Sequence, residues 1–166
     1  MRYLKPNGTI VIRKKPYDIL FTLEVIDELQ EITEMPMIEL LGWALNKKNM
    51  KATIQIVLKV LLKEVPDLED NKLEYYSYAL INTYMEQLKC KEIDIKDKPN
   101  VEVSEEPQRI NIEYWFYIGT VVLNRPTEEV WGMTLGQLIT LRNEHYLYNG
   151  WFKEDKEVSI DEAIPI

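Results

Sequence analysis

The chain has 166 residues, 46% of them hydrophobic, with a formal charge of −8 and a pI near 4.8. That length fits one domain, or one domain with a small appendage, and the apolar content is enough for a real core. The acidity argues against nucleic acid and anionic membrane surfaces as partners, and a single cysteine, Cys90, excludes an internal disulfide framework and suits a reducing cytosol.

Met1-Arg-Tyr-Leu-Lys-Pro-Asn-Gly8 has no apolar stretch of the signal-peptide kind, and every long apolar patch is interrupted by Lys or Glu before membrane-spanning length. Residues 9–15, Thr-Ile-Val-Ile-Arg-Lys-Lys, begin β-branched. Pro16 interrupts them, and Tyr17-Asp-Ile-Leu-Phe-Thr-Leu23 resumes an extended pattern with Tyr17, Ile19 and Phe21 on one face. The pattern predicts two short strands joined around Lys14-Lys15-Pro16. A lone hairpin is marginal in water, so it must lean on helices or pair with a neighbouring subunit.

Thr22 is the expected N-cap of a helix over 23–33, with Leu23, Ile26 and Leu29 or Gln30 as its apolar stripe. Met35-Pro36 breaks it, and Pro36 opens the next helix. There Met37, Leu40, Leu41, Ala44 and Leu45 share a face, Trp43 widens that face or sits at its edge, and Asn46-Lys-Lys-Asn49 closes it. Over 51–65, Ile54, Val57, Leu58, Leu61, Leu62 and Val65 mark a stripe that Ile56 and Val60 widen to nearly all round. Such a helix belongs at the centre of a core or an interface. After Pro66, a helix to about Leu88 carries Leu73, Tyr76, Leu80, Tyr84 and Leu88 on one side. Tyr75 and Tyr78 lie off that stripe, either as contact residues or as tyrosines keeping their hydroxyls wet.

Residues 89–106 are dense in charge and include Pro99, with Pro107 next. They read as a linker. Ile93, Ile95, Val101 and Val103 alternate with charges there, so an extended docking strand is the other reading. The expected organisation is a β-hairpin and helical body over 1–88, a charged linker over 89–106, a helical C-terminal module over 107–150 and an acidic tail over 151–166. The expected fold class is mainly α with an N-terminal hairpin packed on short helices.

The C-terminal module opens with an aromatic-rich helix whose expected inward face is Ile110, Tyr114, Tyr117, Ile118 and Val121, with Trp115 and Phe116 adding bulk. Next comes Leu123-Asn-Arg-Pro-Thr-Glu-Glu-Val-Trp-Gly-Met-Thr-Leu-Gly-Gln-Leu138, which packs two helix starts into sixteen residues. Pro126 suits a first helical position, and Glu128 and Glu129 then fall in the first turn, at the positive end of the helix dipole. Gly132 ends that helix. Thr134 and Gln137 fit a capping box for the next, with Met133 and Leu138 as its hydrophobic staple. Trp131 stands at the corner, and burial is its expected state. The last helix runs from Leu135 to the Asn149-Gly150 pair.

Little here can do chemistry. His145, the one histidine, sits among Arg142, Tyr146 and Tyr148 and has no Cys or His at metal-ligand or nucleophile-base spacing. Glu128 and Glu129 are adjacent on a helix and point apart, so they share no proton site. No catalytic residue, metal or cofactor is expected, and the chain reads as a non-enzyme. A DNA-reading helix-turn-helix at 126–149 would offer Gln137, Arg142, Asn143 and Asn149 against Glu144, too little positive charge on so acidic a chain. A protein-binding surface fits better, with Trp131, Glu128, Glu129, Tyr146, Tyr148, Tyr75 and Tyr78 as its candidate contacts.

Two regions resemble a known family. The strand followed by Pro16-Tyr-Asp-Ile-Leu-Phe-Thr-Leu-Glu-Val-Ile-Asp-Glu-Leu-Gln30 is similar to the amino-terminal domain of tail assembly chaperones from long, non-contractile-tailed bacteriophages. The stretch 125–138 looks like a segment of their long, frameshift-type form, matching at Pro126, Glu128 or Glu129, Trp131, Met133, Thr134, Gly136 and Leu138. It departs from that segment at Val130, Leu135 and Gln137, where the family carries an aromatic, a proline and an acid. The resemblance implies a chaperone that coats the tape measure protein, helps recruit tail tube subunits, self-associates in the host cytoplasm and is not part of the mature virion. It also implies a ribosomal slip near 89–107. The alternatives are a DNA-associated regulator built on the C-terminal helices and a structural phage subunit.

Overall fold

β-branched residues on both sides of a tight turn make the hairpin. In the computed structural model, which describes residues 8–90 and 106–150, β1 (Gly8–Ile12) pairs antiparallel with β2 (Lys15–Ile19), Gly8 opposite Ile19 and Ile12 opposite Lys15. The turn is Arg13-Lys14, one step earlier than the prolyl break implies. Both residues have positive φ, 48° and 67°, the mirror-image turn whose twist suits a hairpin. Neither is Gly or Asn, so the conformation leans on outside contacts. The Arg13 N–H donates to the Glu69 carboxylate at 3.3 Å, its Nε donates to the Asp67 carbonyl at 3.1 Å, and its guanidinium meets the Asp67 carboxylate at 2.6 Å. Pro16 does not break β2. It stands opposite Val11, where a two-residue turn leaves a non-hydrogen-bonded pair, so its missing N–H costs no rung and thins the donors on the outer edge.

α1 (Leu23–Thr33) starts as its sequence predicts, with Thr22 accepting from the Val25 N–H at 3.2 Å. α2 (Met37–Trp43), α3 (Met50–Leu62) and α4 (Leu73–Leu88) complete the body. α3 packs on α1, α2, α4 and β2, which bury Ile54, Val57, Leu58 and Val60, while Ile56 of the expected all-round apolar surface is exposed. Its rim differs from the periodic reading, since Val65 lies past the helix and is exposed, and Leu45 of the preceding segment is exposed too. Ile10, Ile12, Ile19 and Phe21 of the hairpin segment close the core against these helices. Each large apolar side chain buried this way contributes roughly 1.5–3 kcal/mol, which is what holds an otherwise marginal hairpin in place.

Tyr84 of α4 stands edge-on to Phe21, ring centroids 5.2 Å apart, and burial pushes its phenol up to about 12. The unfolded chain ionises this group near pH 10, so the folded state holds the proton more tightly. Stability from Tyr84 is therefore intact below about pH 10 and lost as the pH rises through about 12, on the order of 2 kcal/mol in all. Denaturant midpoints measured across that window should fall for the natural chain and fall less for Tyr84→Phe.

In the C-terminal segment, Asn111 caps α5 (Ile112–Tyr117) by accepting from the Tyr114 N–H at 2.9 Å, and the chain runs straight into a π-type turn, Ile118–Val122. Here the expected face holds at Ile110 and Ile118 and is corrected elsewhere. Tyr114, Tyr117 and Val121 are exposed, while Ile112, Trp115, Phe116 and Ile118 face inward. Trp115 and Phe116 bring more apolar area and no hydroxyl, so turning them in and leaving the tyrosine hydroxyls in water is the better arrangement. α6 (Thr127–Trp131) and α7 (Leu135–Tyr148) follow. The fold is mainly α, seven helices among the described residues with a two-stranded N-terminal hairpin.

The C-terminal helices are built onto the body. The Leu23 N–H, an orphan donor at the start of α1, reaches the Met133 carbonyl at 2.8 Å, and Thr22 and Thr134 form an isolated antiparallel bridge. The two threonine-capped helix starts thus sit side by side. Leu23, Val130 and Leu138 are fully buried together. The Gln30 amide clips residue 110: its Nε2 donates to the Ile110 carbonyl at 3.0 Å and its Oε1 accepts from the Ile110 N–H at 2.7 Å. Residues 91–105 of the expected linker, and the expected tail 151–166, lie outside the described residues.

Candidate partner-binding groove at the 125–141 corner

The corner is set by short-range chemistry. Pro126 takes the N-cap position of α6, one residue earlier than the first helical position its sequence suits, and Glu128 and Glu129 occupy the first turn. Gly132 is the C-cap. The capping box forms: the Gln137 N–H donates to Thr134 Oγ1 at 3.3 Å and the Thr134 N–H donates to Gln137 Oε1 at 2.9 Å. Met133 and Leu138 belong to the same small apolar cluster, as a staple requires. Gly119 lets the π-type turn close onto α6, because a Cβ there would lie 2.6 Å from a Val130 methyl.

Around this corner runs a groove of about 410 Å³. Half-buried Leu20, Met133 and Leu141 give it apolar walls, and Arg125, Glu128, Glu129 and Gln137 give it a polar rim. Arg125 pairs with Glu129 at 3.3 Å, an exposed pair four residues apart that contributes little to stability.

The sequence-derived contact residues fall in separate places. Glu128 and Glu129 are in the groove. Trp131 does not line it: half-buried, its ring lies against Phe116, centroids 4.9 Å apart. It is neither the fully buried corner residue expected nor an open contact. Trp131→Ala is expected to cost about 2 kcal/mol, below the roughly 3–5 of a fully buried aromatic, read as a lower thermal midpoint. Tyr146 packs beside Arg142, whose guanidinium also covers the Trp115 ring at 5.0 Å and donates to the Tyr114 hydroxyl at 3.4 Å. Burial, then the neighbouring Tyr114, raises the Tyr146 phenol pKa. Tyr148 is 92% exposed at the end of α7. Tyr75 and Tyr78 are exposed on α4, on a stripe with Met85.

Sequence reasoning missed Leu20, Arg125 and Leu141. The four-residue spacing of Arg125 and Glu129 was a usable signal; nothing local marks Leu20 or Leu141. His145 is half-buried with its ring 6.2 Å from Tyr146. Among the described residues there is no grouping of three or more His, Cys, Asp or Glu able to hold a metal ion, and no helix long and apolar enough to cross a membrane. The arrangement can bind by shape and charge. Comparison with protein-family models, curated proteins and solved structures yields no match.

Proposed function

We propose that this chain is a non-enzymatic tail assembly chaperone of a long-tailed bacteriophage, which binds the tape measure protein and helps recruit tail tube subunits in the bacterial cytoplasm. The observation that carries the reading is the corner itself. The stretch 125–138, which resembles the long chaperone form, folds as a capped, stapled turn against the start of α1, the other region of resemblance, and opens a groove on its outer side. Arg142, the most central basic residue of α7, is occupied by Trp115, Tyr114 and Asn143, which leaves little for a DNA backbone. A chaperone that coats a long client works as many copies side by side, and exposed Ile32, Ile38, Tyr75, Tyr78 and Met85 offer surface for self-association.

Two assays test the reading. Tagged chain should retain the tail tube or tape measure protein of the same phage from a co-expressing culture, and should not retard duplex DNA at moderate salt. Salt-sensitive DNA retardation with no retained tail protein would favour the regulator.

A further inference from the structure

We propose that the corner groove takes a peptide segment of a basic partner, an apolar side chain entering between Leu20, Met133 and Leu141 while an adjacent Lys or Arg pairs with Glu128 and Glu129. This deepens the chaperone reading by naming the chemistry of the bound segment.

The groove combines an apolar interior with an edge that carries two carboxylates, Glu128 and Glu129, against one guanidinium, Arg125. The Glu128 carboxylate makes no ion pair or hydrogen bond among the described residues, and there the Glu129 carboxylate is held only by Arg125, in an exposed contact at 3.3 Å. An incoming cation therefore displaces little. Charge also decides against the acidic segments of this chain as occupants. Residues 91–105 carry three lysines against five acids, residues 151–166 carry two lysines against five acids, and a second copy brings a formal −8. All three are repelled by the two carboxylates, whereas a basic segment is steered toward them; residues 1–7 of this chain, with Arg2 and Lys5 and no acid, are the competing occupant that the test must separate. Each exposed ion pair is weak alone, so affinity must come from the apolar side chain and selectivity from the two carboxylates.

The test uses the full chain and a short peptide of alternating lysine and leucine, with two control peptides: glutamate for lysine, and serine for leucine. Binding is followed by backbone amide shifts and by titration. The lysine-leucine peptide should bind, moving the amides of Gly132, Gln137 and Leu141, and both control peptides should bind far more weakly. Glu128→Gln with Glu129→Gln should weaken binding about tenfold, as the loss of two exposed pairs gives, and leave the melt unchanged. Glu24→Gln with Glu31→Gln, acids on α1, should leave binding unchanged.

Equal binding of the glutamate peptide, no weakening in the Glu128/Glu129 variant, or shifts centred on α1 would overturn the proposal. So would binding that requires prior removal of 1–7 or of 151–166, or a self-association lost in the Glu128/Glu129 variant, since any of these makes the occupant this chain. Retention of the tape measure protein is scored separately, so the groove can fail while the chaperone reading stands.

Discussion

Gly136→Ala should lower the thermal midpoint more than any other single methyl added to this chain. A Cβ at residue 136 would lie 2.5 Å from the Gln87 carbonyl oxygen and 2.7 Å from that of Lys89. These are main-chain atoms at the end of α4, and no rotamer change moves them aside. α7 would have to withdraw from α4, loosening the staple around Leu138 and the bridge between Thr22 and Thr134. Overpacking against a rigid wall costs about 3 kcal/mol, which for a chain of this size is roughly 6–12 °C. Gly132→Ala is the internal control. It adds the same methyl four residues earlier, where the nearest atoms are carbonyls at 3.6 Å and φ is −81°, and it should shift the midpoint little. Equal melts for the two variants would mean that α7 does not rest on α4 as described.

Gln87→Leu carries the second large effect. Gln87 is buried, and its amide serves the segment where the hairpin hands over to α1: Nε2 donates to the Ile19 carbonyl at 2.8 Å and Oε1 accepts from the Phe21 N–H at 2.7 Å. A main-chain segment with no third strand beside it among the described residues is paired by a side chain that mimics one. Leucine keeps most of the volume and leaves a buried donor and a buried acceptor unmet, each costing about 1–3 kcal/mol. The expected loss is about 2–5 kcal/mol in urea unfolding. Gln30→Leu breaks the equivalent clip on Ile110, which is partly buried, and should cost less. A Gln87 variant as stable as the natural chain would remove this clip from the account.

What could be read beforehand was local. The Thr22 cap, the 23–33 span of α1 and the Thr134–Gln137 box are fixed by residues within a few positions of one another, and each stands where the sequence places it. The hairpin turn was misplaced because Pro16 reads as a breaker, and only the pairing register shows that its N–H is not wanted. The inward face of α5 was misread because periodicity alone weighs tyrosine like any apolar residue, and a hydroxyl decides otherwise. The two glutamine clips look like ordinary polar positions; their partners lie 66 to 68 residues away for Gln87 and 80 for Gln30. The groove was half legible. Glu128 and Glu129 were singled out for their charge, but Leu20 reaches them only through the folding of α1 against the corner.

The measurement that tests the central claim most directly is the solubility of the tape measure protein, co-expressed with and without this chain at matched levels. The account predicts that it is aggregated alone and soluble with the chain, co-purifying with several copies of it, and that the Glu128/Glu129 glutamine variant lowers the soluble yield. A tape measure protein that partitions identically with and without the chain would contradict the account.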